Sequence, residues 1–142
     1  IRGWAPQLKI LNHPAVGGFM THCGWNSTME AMTAGVPLIT WPVLSEQFYN
    51  EKLVQVLKVG VGVGADHWNL SPINEGPVVE SKQIEEAISL LMSNSEESQK
   101  IRKRAKKMAA LAKGAVEESG SSYQNLLDLI DALKACAFGI KS

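Results

Sequence analysis

The chain has 142 residues with 14 basic and 14 acidic side chains, so its formal net charge at pH 7 is zero. This length predicts one domain that can bury a hydrophobic core without needing disulfides or a structural metal ion for stability. The balanced charge supplies no field that would attract nucleic acid or an anionic membrane, and no apolar run reaches the ~20 residues of a membrane span. These classes of function are therefore set aside.

Two cysteines, Cys23 and Cys136, stand far apart and lack the spacing of a metal site or a CxxC motif. This pattern predicts free thiols in a reducing compartment, which favours the cytoplasm. The chain opens inside the apolar, strand-like stretch Ile1–Trp4 and without a methionine, so we expect a truncated domain with an upstream portion.

Residues 4–65 alternate short apolar runs with helical segments, which is typical of βα units around a parallel sheet. Strands are predicted at Gly17–Thr21, Pro37–Trp41 and, from a weaker pattern, Gly60–Gly64. Helices are predicted from Pro6 to about Asn12, from about Ser27 to Ala34 and from about Glu46 to Lys58. The predicted fold class is α/β, a Rossmann-like parallel sheet with flanking helices.

In the second half of the chain the sequence predicts a loop followed by helices, with no further strand. Asp66–Val79, with Pro72, Gly76 and Pro77, predicts a loop. Apolar residues at helical spacing then predict three amphipathic helices over about 81–137. Six basic residues fall within 100–107, and the apolar residues between them favour a solvated helix face over an anion site.

Chemistry is concentrated in residues 17–27, where an apolar strand runs into a polar turn that opens a helix. Free N–H groups and the dipole at a helix N-terminus bind phosphate, and Gly24 lets the backbone approach it. His22, Asn26 and Ser27 add side-chain donors. Ser27 and Glu30 also match a capping box, so a purely structural role for both stays open.

Two other interpretations of this turn are weaker. His22 and Cys23 could begin a metal site, but no third ligand has suitable spacing, and we predict no metal. A strand, a glycine turn and a helix also open a dinucleotide-binding fold, with Glu46 near the place of its ribose-binding acid. The required GxGxxG pattern is absent.

A longer pattern is specific. It comprises Trp4-Ala5-Pro6-Gln7, Ile10-Leu11, His13, Gly17, Phe19, His22-Cys23-Gly24-Trp25-Asn26-Ser27, Glu30, Gly35-Val36-Pro37, Pro42 and Glu46-Gln47. These residues resemble the signature box of plant secondary-product UDP-glycosyltransferases, which would occupy residues 4–47. The resemblance implies that residues 1–142 are a partial C-terminal UDP-sugar-binding domain of a GT-B-type enzyme with two Rossmann-like domains.

The resemblance also implies a role for each matching residue. Trp4 would stack on uracil and the Ala5 backbone would pair with its edge, although a Trp is more often a core aromatic. Gln7 and Glu30 would bind the ribose hydroxyls.

His22, Gly24, Asn26 and Ser27 would hold the diphosphate. Trp25, Glu46 and Gln47 would face the sugar, and Gln47 points to glucose. Without the resemblance, Glu46 and Gln47 are polar first-turn residues after a Ser45 cap.

The implied reaction is an inverting transfer of glucose from UDP-glucose to a hydroxyl of a small metabolite such as a flavonoid or terpenoid, with no cofactor. The family's catalytic His and Asp lie on its N-terminal acceptor-binding domain, and none of His13, His22 and His67 matches that base. We therefore expect no catalytic residue and no activity in this chain alone. A module that only binds UDP or a UDP-sugar stays open.

Overall fold

The computed structural model of the chain describes residues 3–67 and 78–137. Within them a three-stranded sheet alternates with helices and is followed by further helices. The strands are β1 (Phe19–Thr21), β2 (Leu38–Thr40) and β3 (Gly60–Gly62), and the helices are α1 (Gln7–Leu11), α2 (Trp25–Ala34), α3 (Gln47–Leu57), α4 (Ser81–Met92), α5 (Glu96–Val116) and α6 (Ser121–Ala137). The predicted strands are present but shorter, and most of the predicted loop at 66–79 lies outside the described residues.

The sheet is parallel, in the order β1-β2-β3. Leu38 on the central strand pairs with Phe19 on one side and with Gly60 on the other. A Cβ at position 60 would collide with the Leu38 carbonyl oxygen, so a glycine permits this close strand approach. Because parallel strands point the same way, the segments that follow β1 and β2 emerge at one edge of the sheet.

Both faces of the sheet are covered. Neighbouring residues of β2 point to opposite faces, and Leu38 and Ile39 accordingly belong to different core clusters. The first cluster packs α1, α2, α3 and α5 against the sheet, and the second packs α4 and α5 against it. The central strand β2 is buried along its whole length, and this buried strand anchors the loops at the edge of the sheet.

Helix α2 ends at Gly35, whose φ of +73° is left-handed. Its N–H and that of Val36 donate to carbonyls in the last turn of α2, which satisfies groups that the helix end would otherwise leave unpaired. A Cβ at position 35 would lie 3.1 Å from that of Ala109, so glycine also permits close packing against α5.

The basic run at 100–107 is only partly the solvated face that we predicted. Ile101 and Ala105 are buried, as expected for an amphipathic helix. The guanidinium of Arg102, however, donates to the carbonyls of Leu91 (2.7 Å) and Ser93 (3.3 Å). Arg102 thereby ties α5 to the end of α4, because a helix terminus presents unpaired carbonyls to a donor.

The chain divides into two compact units, Ile1–Ala109 and Ala110–Ser142. The second contains the end of α5 and all of α6. No described residue of α6 is buried, and its leucines, including Leu129 and Leu133, are exposed. None of the helices in the described ranges has both the length and the apolar character needed to cross a membrane.

Candidate functional site

A groove of about 670 Å³ runs between the segment that leads into α1 and the first turns of α2. It brings together six of the residues that the sequence singled out: Trp4, Ala5, Gln7, Asn26, Ser27 and Glu30. Trp4 is 97% exposed, so its interpretation as a core aromatic is wrong. A large apolar ring left open in a groove offers a flat surface to a ligand.

Gln7, Ser27 and Glu30 form one hydrogen-bonded group in this groove. The Gln7 amide donates to Glu30 Oε2 (2.8 Å) and to Ser27 Oγ (3.3 Å). These two hydrogen bonds link Gln7 to residues that lie 20 and 23 positions later in the sequence. It therefore docks α1 on α2 and fixes the Glu30 carboxylate at the groove wall.

The capping box is wrong. Helix α2 begins at Trp25, two residues earlier than predicted, and its N-cap is Gly24 with no side-chain cap. Ser27 is thus inside the helix and its oxygen accepts from Gln7. The Ser27 hydroxyl thus takes a tertiary partner on α1 in place of the predicted role as a helix cap.

The turn after β1 has an unusual backbone. Cys23 has a φ of +67°, a left-handed conformation that is costly for a residue with a Cβ. Its side chain is fully buried while His22 is exposed. A Cβ on Gly24 would come within 2.6 Å of His22 Nε2, so the imidazole lies directly over this glycine. His22 therefore sits at the N-terminus of α2.

Both cysteines are free thiols, as predicted. Burial raises the pKa of Cys23 to about 12, against a weaker lowering by a backbone hydrogen bond from Trp41. The thiol therefore stays protonated at neutral pH and is a packing group of the turn. In the described part of the chain, no group of three or more histidine, cysteine or carboxylate residues is arranged to hold a metal.

The residues predicted to face a sugar lie on two segments. Trp25 is the first residue of α2 and is 50% exposed. Glu46 is exposed at the N-cap of α3, where no side-chain cap forms, so the predicted Ser45 cap is wrong. Ser45 instead has a left-handed φ of +58°.

Gln47 is buried rather than open to solvent. Its Oε1 accepts hydrogen bonds from the backbone N–H groups of Val43 (2.9 Å) and Leu44 (3.0 Å). Two backbone donors fix the orientation of the amide, so Nε2 is the group with which Gln47 can donate to a ligand. The side chain also shapes the loop after β2.

Two buried polar residues of α3 escaped the sequence analysis. The Asn50 amide donates to the Cys23 carbonyl (2.8 Å), and the Glu51 carboxylate accepts from Thr40 Oγ1 (2.6 Å). Burial raises the Glu51 pKa, and the Thr40 hydrogen bond offsets this in part. The spacing of Asn50 three residues after Gln47, on one helix face, was the available signal.

A second cavity of about 480 Å³ lies beyond the carboxyl ends of β2 and β3. It is lined by Trp41, Asp66, His67, Glu80 and Gln83, among others. His67 Nδ1 lies 2.5 Å from Asp66 Oδ1, and Gln83 Oε1 accepts from the Glu80 N–H. None of the eleven predicted site residues lines this cavity.

Known proteins resemble the chain in sequence and structure. The family model described as UDP-glucoronosyl and UDP-glucosyl transferase matches residues 1–72. Nuatigenin 3-beta-glucosyltransferase of Solanum aculeatissimum is 61% identical over 136 residues, which cover 94% of this chain and 28% of that protein. The chain therefore spans little more than a quarter of the length of this relative.

Solved structures of glycosyltransferases also match the chain. UGT73P12 of Glycyrrhiza uralensis, complexed with glycyrrhetinic acid 3-O-monoglucuronide, matches with a TM-score of 0.91 and 48% identity, over 98% of this chain and 29% of that one. A UGT transferase from Siraitia grosvenorii in complex with UDP matches with a TM-score of 0.78 and 43% identity, over 91% and 28%. Together with the observed parallel sheet, these likenesses confirm the predicted α/β fold of the GT-B type.

Proposed function

Because the chain belongs to the family of UDP-glucoronosyl and UDP-glucosyl transferases, we propose that it is the donor-binding region of a plant UDP-dependent glycosyltransferase. The proposed reaction moves glucose from UDP-glucose to a hydroxyl of a small secondary metabolite, such as a terpenoid or flavonoid, with inversion at the anomeric carbon. The observation that carries this proposal is the groove that joins the open Trp4 ring to the uncapped N-terminus of α2.

Uridine would occupy the part of the groove that is lined by Trp4, Ala5, Gln7 and Glu30. Uracil stacks on the exposed Trp4 ring and pairs through its polar edge with the Ala5 backbone, since the ring offers apolar area at little cost in conformational entropy. The ribose hydroxyls donate to the Glu30 carboxylate, which Gln7 holds in place.

The diphosphate would lie at the N-terminus of α2. The N–H groups of its first turn have no side-chain cap, and the positive end of the helix dipole favours an anion. His22, held over Gly24, donates from one side, and Asn26 and Ser27 add donors from the helix. This arrangement suits a leaving group that gains negative charge.

The sugar would lie beyond the diphosphate, between Trp25 and the start of α3. Glu46 can accept from sugar hydroxyls, and Gln47 can donate through Nε2. Two backbone N–H groups hold the Gln47 amide in one orientation, so the site presents a fixed donor rather than a freely rotating one. The name of the Solanum relative, a glucosyltransferase, supports glucose as the sugar.

In the proposed transfer an acceptor oxygen bonds to the anomeric carbon while the bond from that carbon to the diphosphate oxygen breaks. The acceptor proton passes to a base, and the electron pair leaves with UDP. The residues of this chain would stabilise that developing charge, because preorganised donors act where charge appears in the transition state. None of the three histidines, His13, His22 and His67, lines the groove, and the proposal gives His22 to the diphosphate, so we propose binding without turnover by this chain alone.

A calorimetric titration with UDP-glucose tests the proposal, with GDP-glucose as the ligand control. We expect saturable binding of UDP-glucose only. Trp4→Ala should weaken it about tenfold, the usual worth of a base stacked on an aromatic side chain. Glu30→Ala should weaken it about fivefold through the lost ribose hydrogen bonds.

Tyr49→Ala is the matched control, because Tyr49 is an exposed aromatic residue that does not line the groove. It should bind like the unsubstituted chain. Equal affinity for UDP-glucose and GDP-glucose, or binding that ignores the Trp4 and Glu30 substitutions, would refute this donor site. Formation of a glucoside by the purified chain with a small phenol would refute the claim of binding without turnover.

A further inference from the structure

The turn that carries His22 needs support from elsewhere in the fold. Cys23 holds a left-handed φ of +67°, and non-glycine residues adopt such angles only where the surroundings enforce them. Two local contacts help: the Cys23 N–H donates to Thr21 Oγ1 (3.2 Å) and the Cys23 thiol donates to the Thr21 carbonyl oxygen (3.6 Å). Neither contact involves the carbonyl group of Cys23.

The carbonyl side is held by Asn50. This residue is buried, and its Nδ2 donates to the Cys23 carbonyl oxygen at 2.8 Å across 27 positions of sequence. A buried carbonyl that loses its partner costs free energy, so the contact favours the one turn conformation that permits it. The peptide whose carbonyl Asn50 holds is the one that leads into Gly24, the N-cap of α2.

Asn50 acts from a helix that also controls the neighbouring loop. One turn earlier on α3, Gln47 accepts from the N–H groups of Val43 and Leu44 in the loop after β2. The two amides lie on one face of the helix, since they are three residues apart. Helix α3 thus holds both segments that follow the adjacent parallel strands β1 and β2.

We propose that Asn50 is a positioning residue for the diphosphate. Through the Cys23 carbonyl it fixes the turn that places His22 against the N-terminus of α2, and it sets the spacing between this turn and the loop that carries Glu46. It touches no part of the donor itself. This role rests on the proposed function, because it assumes that the α2 end of the groove receives the diphosphate.

The test compares UDP with uridine in the 142-residue chain and its variants. Asn50→Asp, measured at pH 8, changes one atom and replaces the amide donor with an acceptor. We expect UDP binding to weaken about tenfold, while the affinity for uridine changes less than about twofold. The reason is that uridine uses Trp4, Gln7 and Glu30, none of which contacts Asn50. A general loss of structure would weaken both ligands alike.

Asn50→Leu is a second variant that cannot donate at any pH, and it decides the matter should the Asp variant not fold. Glu51→Gln is the matched control: it is also a one-atom change at a buried position of α3, but its hydrogen-bond partner is Thr40 of β2, so it leaves the hydrogen bond to the Cys23 carbonyl in place. This control should bind UDP and uridine normally.

The outcomes distinguish a failure of the proposed donor site from a failure of the proposed role of Asn50. If the unsubstituted chain binds uridine and UDP equally weakly, the proposed donor site itself is refuted. If it binds UDP well and the Asn50 variants bind UDP as well, or lose UDP and uridine to the same extent, only the role of Asn50 is refuted. Selective loss of UDP in both Asn50 variants, with a normal Glu51→Gln control, supports it.

Discussion

The two ends of the proposed donor site differ in how completely the protein builds them. At the uracil end, Trp4 is open to solvent and precedes a helix of five residues. At the diphosphate end, Thr21, Cys23 and Asn50 are buried and hydrogen-bonded beneath the turn. The uracil end thus offers area that a ligand must cover, whereas the diphosphate end offers donors that are already oriented. Preorganised donors give the larger share of selective stabilisation.

His22→Ala removes the proposed imidazole donor at the diphosphate end of the site. A hydrogen bond to a charged group is worth about 2 kcal/mol, so UDP should bind about thirtyfold more weakly, and uridine should bind as before. Calorimetry with both ligands measures this, and His13→Ala serves as the control because the proposal assigns His13 no contact with the donor. An equal loss of both ligands would show that the two ends are not separate.

Gln7→Leu tests the uridine end of the site. It removes the donor to Glu30 and Ser27, so α1 loses a tie to α2. We expect the free energy of unfolding to fall by about 1 kcal/mol and uridine affinity to fall about fivefold. Urea unfolding and titration measure the two effects. Stability that falls with no change in uridine affinity would remove Gln7 from the ribose site.

Gly24→Ala should act only through His22. The backbone at Gly24 (φ −57°, ψ 142°) suits any residue, but the new Cβ would meet the imidazole at 2.6 Å and displace it. UDP affinity should fall about fivefold in the original chain and not at all in a His22→Ala background. A double-mutant cycle measures this coupling, and fully additive losses would contradict it.

Glu51→Gln tests the buried contact between α3 and Thr40 of β2. Since burial raises the pKa of Glu51 above its ordinary value of 4.5, the folded state holds this proton more tightly than the unfolded state. The stability from this residue is therefore present below about pH 4.5 and is lost as pH rises through the folded-state pKa. The Glu51→Gln variant should gain stability relative to the original chain over that range.

Urea unfolding between pH 4 and pH 8 tests this, with Glu85→Gln as a control at an exposed glutamate of α4. The difference in the free energy of unfolding between the Glu51→Gln variant and the original chain should grow with pH and then level off. A difference that stays constant would contradict the raised pKa.

Much of the fold was predictable because its signals are local. Alternating apolar runs and helical spacing placed all three strands and the helices around them. The errors fell at helix starts, where tertiary contacts overrode a local preference. Ser27 and Ser45 are good cap residues by type, yet Ser27 pairs with Gln7 and Ser45 takes a left-handed turn. The domain extent of residues 1–142 and the signature box at 4–47 stay predictions.

The residues of the candidate site were predictable by type and only in part by role. Sequence placed Trp4, Gln7 and Glu30 together, and they line one groove. It could not show that Gln47 holds the loop after β2 or that Asn50 reaches Cys23, because both contacts depend on how α3 packs on the sheet. Every ligand role assigned to these residues stays a proposal.

The most direct test maps bound UDP on the protein by NMR, through backbone amide and indole N–H signals. Addition of UDP should shift the Trp4 indole and the amides of Trp25, Asn26 and Ser27, and UDP-glucose should in addition shift the Trp25 indole. Signals of Trp41 and Gln83, which line the second cavity, should stay in place. Shifts confined to that second cavity, with Trp4 and the start of α2 unchanged, would contradict the proposed donor site.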